Sequence, residues 1–435
     1  MNRRRFIGTA WAAAAASARP RSGAAMAGSA APAPIRRIGR LTLKELRDQY
    51  HGFLFDDFLP FMEKYVIDAE FGGFLWNTDR DGTRLGTSKT PTNEGRGMWV
   101  WSYLYNELSR EQKYLDVARR SYDLILKSRP DGDSLWVRSL TREGQPAAAA
   151  DVPVYGDLYV AAGIAEYARA ARDADAWKLA KEITEKCLRV YDRPDYDPIS
   201  GPDPVQGARR QGVAMLLLPV SKSLLKYKTD PGVAAVADLA VDAVVNRHFN
   251  PDYRLNNEVL NHDYSRAGGV HAQTVSFGTT VQTLWMIIEE GLRRNDRKLY
   301  DTGVERLRRH VEVGWDDVYG GVASMLRHVD NNVWDMSKPL HCDIEALVGF
   351  LMVLEHTGEA WAGELFSKIY DFTIEKRVLK KYGYPLWQHE GDRRVTYEPH
   401  TRRAEHFHNS RHLMMNLAAL DRLISREGRT SGALG

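Results

Sequence analysis

The chain has 435 residues, 43% of them hydrophobic, and a formal charge of +3 at pH 7. That length suits one large domain or up to about three ordinary ones, and no apolar run is long enough to span a bilayer. Five arginines (Arg3, Arg4, Arg5, Arg19, Arg21) and no acid lie in residues 1–27, so removing that stretch turns +3 into −2. A near-neutral remainder gives no electrostatic case for nucleic acid or an anionic membrane as partner.

In chain order, residues 1–27 read as a twin-arginine-type signal peptide. Arg3-Arg4-Arg5-Phe6-Ile7-Gly8 precedes a weakly apolar segment, and Ala25-Met26-Ala27 offers a small-residue cleavage site. A Sec signal and a disordered basic tail are the other readings of this stretch. The expectation is a periplasmic or secreted protein without a membrane association after cleavage. Residues 28–40, rich in Ala and Pro, read as linker, 41–427 as one catalytic domain and 428–435 as a tail. Export favours disulfides, but Cys187 and Cys342 are only two and far apart, so free buried thiols are expected.

Helical periodicity then recurs at about 43–66, 93–109, 112–128, 154–172, 174–192, 205–227, 232–247, 270–293, 297–312, 339–356, 359–378 and 404–425. About twelve helices in six pairs suggest an all-α fold, an (α/α)6 barrel whose inner helices point their N-termini at a central cavity. A stack of helical hairpins competes, but solenoid repeats keep a fixed period and these do not. Glu70-Phe71-Gly72-Gly73-Phe74, Tyr319-Gly320-Gly321-Val322 and Lys381-Tyr382-Gly383-Tyr384 fall between helices and read as short hairpins at the cavity mouth. The many Trp and Tyr suit a sugar cleft as well as a helical core.

Five segments carry chemistry-bearing side chains at or near helix starts. They are Lys89-Thr90-Pro91-Thr92-Asn93-Glu94-Gly95-Arg96-Gly97-Met98-Trp99, Tyr155-Gly156-Asp157-Leu158-Tyr159, Ser276-Phe277-Gly278-Thr279-Thr280-Val281-Gln282-Thr283-Leu284-Trp285, Lys338-Pro339-Leu340-His341-Cys342-Asp343-Ile344-Glu345-Ala346 and Glu405-His406-Phe407-His408-Asn409-Ser410-Arg411. In this order they resemble the N-acylglucosamine 2-epimerase superfamily of sugar epimerases and aldose–ketose isomerases. The resemblance covers about residues 41–425 and implies a mono- or oligosaccharide substrate, no cofactor and no metal, with a homodimer possible.

The resemblance implies that His408 is an acid/base, Glu345 a catalytic carboxylate, and Arg96 and Arg411 cations for a developing enediolate. Trp99, Asp157 and the neighbours of position 279 would line the sugar site. The family motif, however, has Gly-His and then Glu three residues on, where this chain has Thr279 and Gln282. Neither titrates usefully, so a second base must come from elsewhere. His341, one turn before Glu345, is a candidate, as are His271 and the loop-borne His262. His406 and His408 also raise a metal, but residues two apart on a helix diverge and no third ligand is spaced to join them. Two other readings stand beside the epimerase. One is a glycoside or unsaturated-uronide hydrolase using Asp157 and Glu345. The other is a sugar-binding protein without turnover.

Overall fold

Two kinds of helix alternate along the chain, one buried on nearly every face and one amphipathic. The computed structural model describes residues 33–79, 81–150, 153–196, 203–379, 384–385, 388–390, 393–394 and 406–434. The leader expected at 1–27, Lys381-Tyr382-Gly383 and Glu405 lie outside them. The described helices are α1 (Leu43–His51), α2 (Pro91–Glu107), α3 (Gln112–Leu126), α4 (Tyr155–Ala171), α5 (Ala174–Tyr191), α6 (Gln211–Tyr227), α7 (Pro231–Asp242), α8 (Phe277–Arg294), α9 (Arg297–Gly314), α10 (Leu340–Thr357), α11 (Ala360–Phe372) and α12 (His408–Ser425). Further helical turns carry α1 on to Val66, α7 to Arg247 and α11 to Arg377.

The even-numbered helices form an inner ring. Alanine, glycine and branched apolar residues let α4 bury 14 of its 17 residues, whereas the outer α3 buries 5 of 15. Neighbouring inner helices pack side by side from α2 to α12, and α12 returns to α2, closing the ring. This is the (α/α)6 barrel expected from periodicity, and both cysteines are free and buried as expected.

Contacts between helix starts set the direction of the inner ring. Arg96 of α2 bonds Tyr159 of α4, and Gln211 of α6 bonds Thr280 of α8. His341 of α10 lies against Gly278 of α8, and beside His408 of α12. The inner N-termini therefore gather at one end. Those of α4, α6, α8, α10 and α12 have no side-chain cap. The summed peptide dipoles of these helices give that end a positive potential.

A loop device recurs below this end. Gly72 and Gly73 (φ +82° and +70°), and Gly320 and Gly321 (φ +79° and +86°), take left-handed turns that a side chain would strain. Each turn is closed by an aspartate N–H on the second glycine's carbonyl: Asp68 on Gly73 at 2.9 Å and Asp316 on Gly321 at 3.0 Å. A buried lysine holds each aspartate, Lys89 at 3.0 Å and Lys338 at 2.6 Å. Five residues beyond each lysine, a first-turn carboxylate accepts the N–H after the glycines: Glu94 from Phe74 (3.1 Å) and Asp343 from Val322 (2.8 Å). Antiparallel bridges Ile67–Phe74 and Trp315–Val322 make these segments the short hairpins expected, here clamped by buried charges.

Two helix boundaries differ most from the sequence reading. The helix expected from 205 starts at Gln211, because Arg209–Arg210 pairs with Val259–Leu260 as a short antiparallel ladder. The one expected from 270 starts at Phe277, because Val275–Ser276 pairs with Met325–His328. Backbone pairing took residues that periodicity had assigned to helix. At the domain edges, Arg37–Ile38 pairs with Leu41–Thr42, the Ile35 N–H bonds the Gly428 carbonyl, and the Ser431 N–H bonds that of Glu355. Boundaries at 41 and 427 thus fall within packed chain.

Candidate functional site

Glu345, on the second turn of α10, has no exposed surface. Its Oε1 accepts from His408 Nδ1 at 2.8 Å and from Arg411 Nη2. Its Oε2 accepts from Trp285 Nε1 at 2.7 Å. Burial pushes this carboxyl up, but Arg411 and His408 outweigh it and hold it down at about 2. An ionised carboxylate on Nδ1 fixes the imidazole tautomer with the proton there, which leaves the lone pair of His408 on Nε2. Arg411, 2% exposed, stacks over Phe407 with 4.6 Å from guanidinium carbon to ring centre. With its amide oxygen turned to Arg411, Gln282 accepts from Nη2 at 2.9 Å and Nη1 at 3.2 Å. One carboxylate and one neutral amide thus share a single guanidinium, so the buried charges cancel.

His341 sits one turn before Glu345, closer to the open end of α10 by about 6 Å along the axis. Its ring centre lies 5.4 Å from that of His408, at a 38° tilt. Desolvation and the neighbouring His408 push its imidazolium down to about 3, so the ring is neutral at pH 7. The fit against α8 is close: a Cβ on Gly278 would lie 2.1 Å from His341 Nε2. Arg96, half-buried, donates to Tyr159 Oη at 2.8 Å and lies 4.2 Å above that ring. Its guanidinium is also 5.3 Å from the Phe407 ring. Arg96 and His408 therefore flank Phe407, with His341 beside His408.

Several expected site residues are held by protein groups. Glu345, expected as a catalytic group, has both oxygens occupied, Oε1 by His408 and Arg411 and Oε2 by Trp285. Arg411, expected on the substrate, is buried against Glu345 and Gln282. Trp99 is buried beneath Phe407 (ring centres 5.6 Å) and stacked on Tyr103 (4.8 Å), a support rather than a sugar platform. Asp157 is fully buried; it pairs with Lys186 at 2.6 Å and accepts the Trp136 N–H at 3.0 Å. It repeats the loop clamp of Glu94 and Asp343 on a third inner helix. Thr279 is half-buried and hydrogen-bonded to Ser276 Oγ at 3.1 Å.

The other histidines are placed elsewhere. His271 belongs to a separate turn, Gly269–His271, with Nε2 3.0 Å from the Asp203 carbonyl. His262 lies against Arg209. His406 turns away into Phe58, Phe61 and Trp76. Sequence reasoning missed Tyr159, Phe407 and Trp285 as the frame of the site, although all three stand inside the quoted segments. It also missed the buried Glu258, paired with Arg210 at 3.3 Å. The signal for these was their place beside the helix starts.

Comparison with known proteins follows this geometry. A model of the N-acylglucosamine 2-epimerase (GlcNAc 2-epimerase) family matches residues 72–409. The N-acylglucosamine 2-epimerase of Mus musculus is 23% identical over 345 residues, covering 75% of this chain and 80% of that enzyme. Among solved structures, the cellobiose 2-epimerase of Spirochaeta thermophila superposes with a TM-score of 0.72 at 19% identity. That match covers 88% of this chain and 98% of the other. A D-mannose isomerase superposes with a TM-score of 0.68 at 13% identity, covering 87% and 97%.

Proposed function

The chain belongs to the N-acylglucosamine 2-epimerase family, and from that premise we propose a carbohydrate epimerase or isomerase that moves a proton at C2, or between C1 and C2, of an open-chain sugar. The observation that carries this reading is the buried Glu345 that holds His408 by its Nδ1 at 2.8 Å. His408 removes the proton α to the carbonyl, and the enediolate that forms is a developing anion. Arg96 and the uncapped inner helix starts stabilise that charge. Thr279 and Gln282 stand where the family's histidine and glutamate would, and supply hydrogen bonds without a titrating group.

The hydrolase reading loses its support at the same two carboxylates. A glycosidase needs one carboxyl able to donate a proton and a second facing the bond from roughly 5–9.5 Å away. Glu345 is held ionised, and Asp157 is closed off by Lys186 and Trp136. The Arg3-Arg4-Arg5 leader supports export of the mature enzyme, which fractionation of the native host would test.

Proton NMR in D2O with mannose, glucose, N-acetylmannosamine and cellobiose tests the activity. Deuterium entering at C2 is the expected result. Binding-induced shifts with no exchange would instead support a sugar-binding protein, and release of reducing ends without exchange a hydrolase.

A further inference from the structure

Resting on that reading of the site, we infer that His341 is its second proton-transfer group, and that it works from the same wall as His408. The site then converts an aldose bearing a free C2 hydroxyl into the ketose, rather than inverting C2.

The argument begins with spacing. Inverting a carbon through an enediolate requires proton removal on one face and delivery on the other. Two bases that bracket a carbon each stand about 3–3.5 Å from it, so their nitrogens are about 6–7 Å apart and their ring centres farther still. The His341 and His408 ring centres are 5.4 Å apart, too close to hold a carbon between them. The two rings are side by side. Beside them, the first two turns of α8 offer Thr279, Thr280, Gln282 and Thr283, which have no useful acid or base. Among the described carboxylates at the inner helix starts, Glu94 and Asp157 are tied to loop N–H groups, and Glu258, beside α6, is paired with Arg210.

One wall with two neighbouring imidazoles suits transfer between adjacent carbons. The C2–H bond breaks and its proton goes to His408 Nε2, while the electron pair forms C1=C2 and the C1 carbonyl becomes an oxyanion at O1. The O2 hydroxyl proton passes to the His341 ring and on from it to O1. The C2=O2 carbonyl then forms, and the proton on His408 is returned to C1. Each hydrogen is accounted for and no redox partner is required. His341 suits the second transfer because a neutral imidazole both accepts and donates, and because it stands one turn nearer the open end than Glu345. A 2-acetamido sugar has no O2 proton to move, so it exchanges at C2 without forming a ketose.

The test follows mannose in D2O with the purified full chain, its His341→Phe and His341→Gln variants, and circular dichroism to confirm folding. The wild-type protein is expected to give ketose labelled at C1, with no glucose formed directly. In His341→Phe, where His408 is intact, C2 exchange is expected to persist within about tenfold while ketose formation falls by about 100-fold. Should Phe disturb the fold, His341→Gln is the variant read. A C2 epimer as the main product would overturn the inference, as would ketose formation unchanged in the variants or lost in equal proportion with exchange. Absence of C2 exchange from every sugar would overturn the proton-transfer reading itself, and this inference with it.

Discussion

The starts of α8 and α12 meet the same end of the ring and are built from the same kind of inner helix, yet they differ in what they bring. At α12, His408 and Arg411 converge with Glu345 of α10 into a buried, charge-balanced unit. At α8, Thr279 and Gln282 contribute only neutral hydrogen bonds, and Gly278 gives up its side-chain space to His341. The difference teaches that two helix starts with the same place in a ring can carry different side-chain chemistry, one charged and one neutral. In this account the chemistry lies on the α10–α12 wall and α8 serves as its support.

The largest expected break is on that wall. His408→Ala is expected to lower kcat by about 1,000-fold with little change in fold, measured by steady-state turnover and circular dichroism. Glu345→Gln should cost similar activity and also about 3–5 kcal/mol of stability, because Arg411 is left buried without its counter-charge. Denaturant unfolding reads that term. Asp157→Asn separates the two effects: it strands Lys186 and lowers the melting temperature, while turnover per folded molecule is retained.

Acid pH sharpens the same contrast. Glu345 is lowered from 4.5 to about 2, so its stabilisation is present above pH 4.5 and is lost as pH falls toward 2. Burial lowers His248, His310 and His412 from 6.5 to about 4 and, with His408, takes His341 to about 3. The unfolded chain therefore binds protons first, and stability declines already as pH drops below 6.5. Melting curves from pH 7 to 3 should show both limbs, with Glu345→Gln flattening only the lower one.

Much of this was legible beforehand. Twelve helices followed from 3.6-residue periodicity, because each element has a long buried stripe, and His408 stood out as an imidazole at a helix start. The starts at 205 and 270 were misplaced because their residues pair with strands 50 positions downstream, which local pattern does not reveal. The roles of Glu345, Arg411 and Asp157 were unreadable for a related reason. Whether a charged side chain meets substrate or a buried partner depends on which helix packs beside it.

Smaller effects belong to α8. The double change Thr279→His with Gln282→Glu would restore a base to that wall, and is expected to add a C2 epimer to the product mixture seen by NMR. Thr279→Ala alone removes one hydrogen bond to Ser276 and should change turnover by less than about tenfold.

The most direct measurement compares the rate of C2 deuterium exchange in His408→Ala and Thr279→Ala, each confirmed folded, on one sugar. The account expects exchange to fall by about 1,000-fold in the first and to stay within about tenfold in the second. Exchange that survives in His408→Ala but vanishes in Thr279→Ala would place the chemistry on α8 and contradict it.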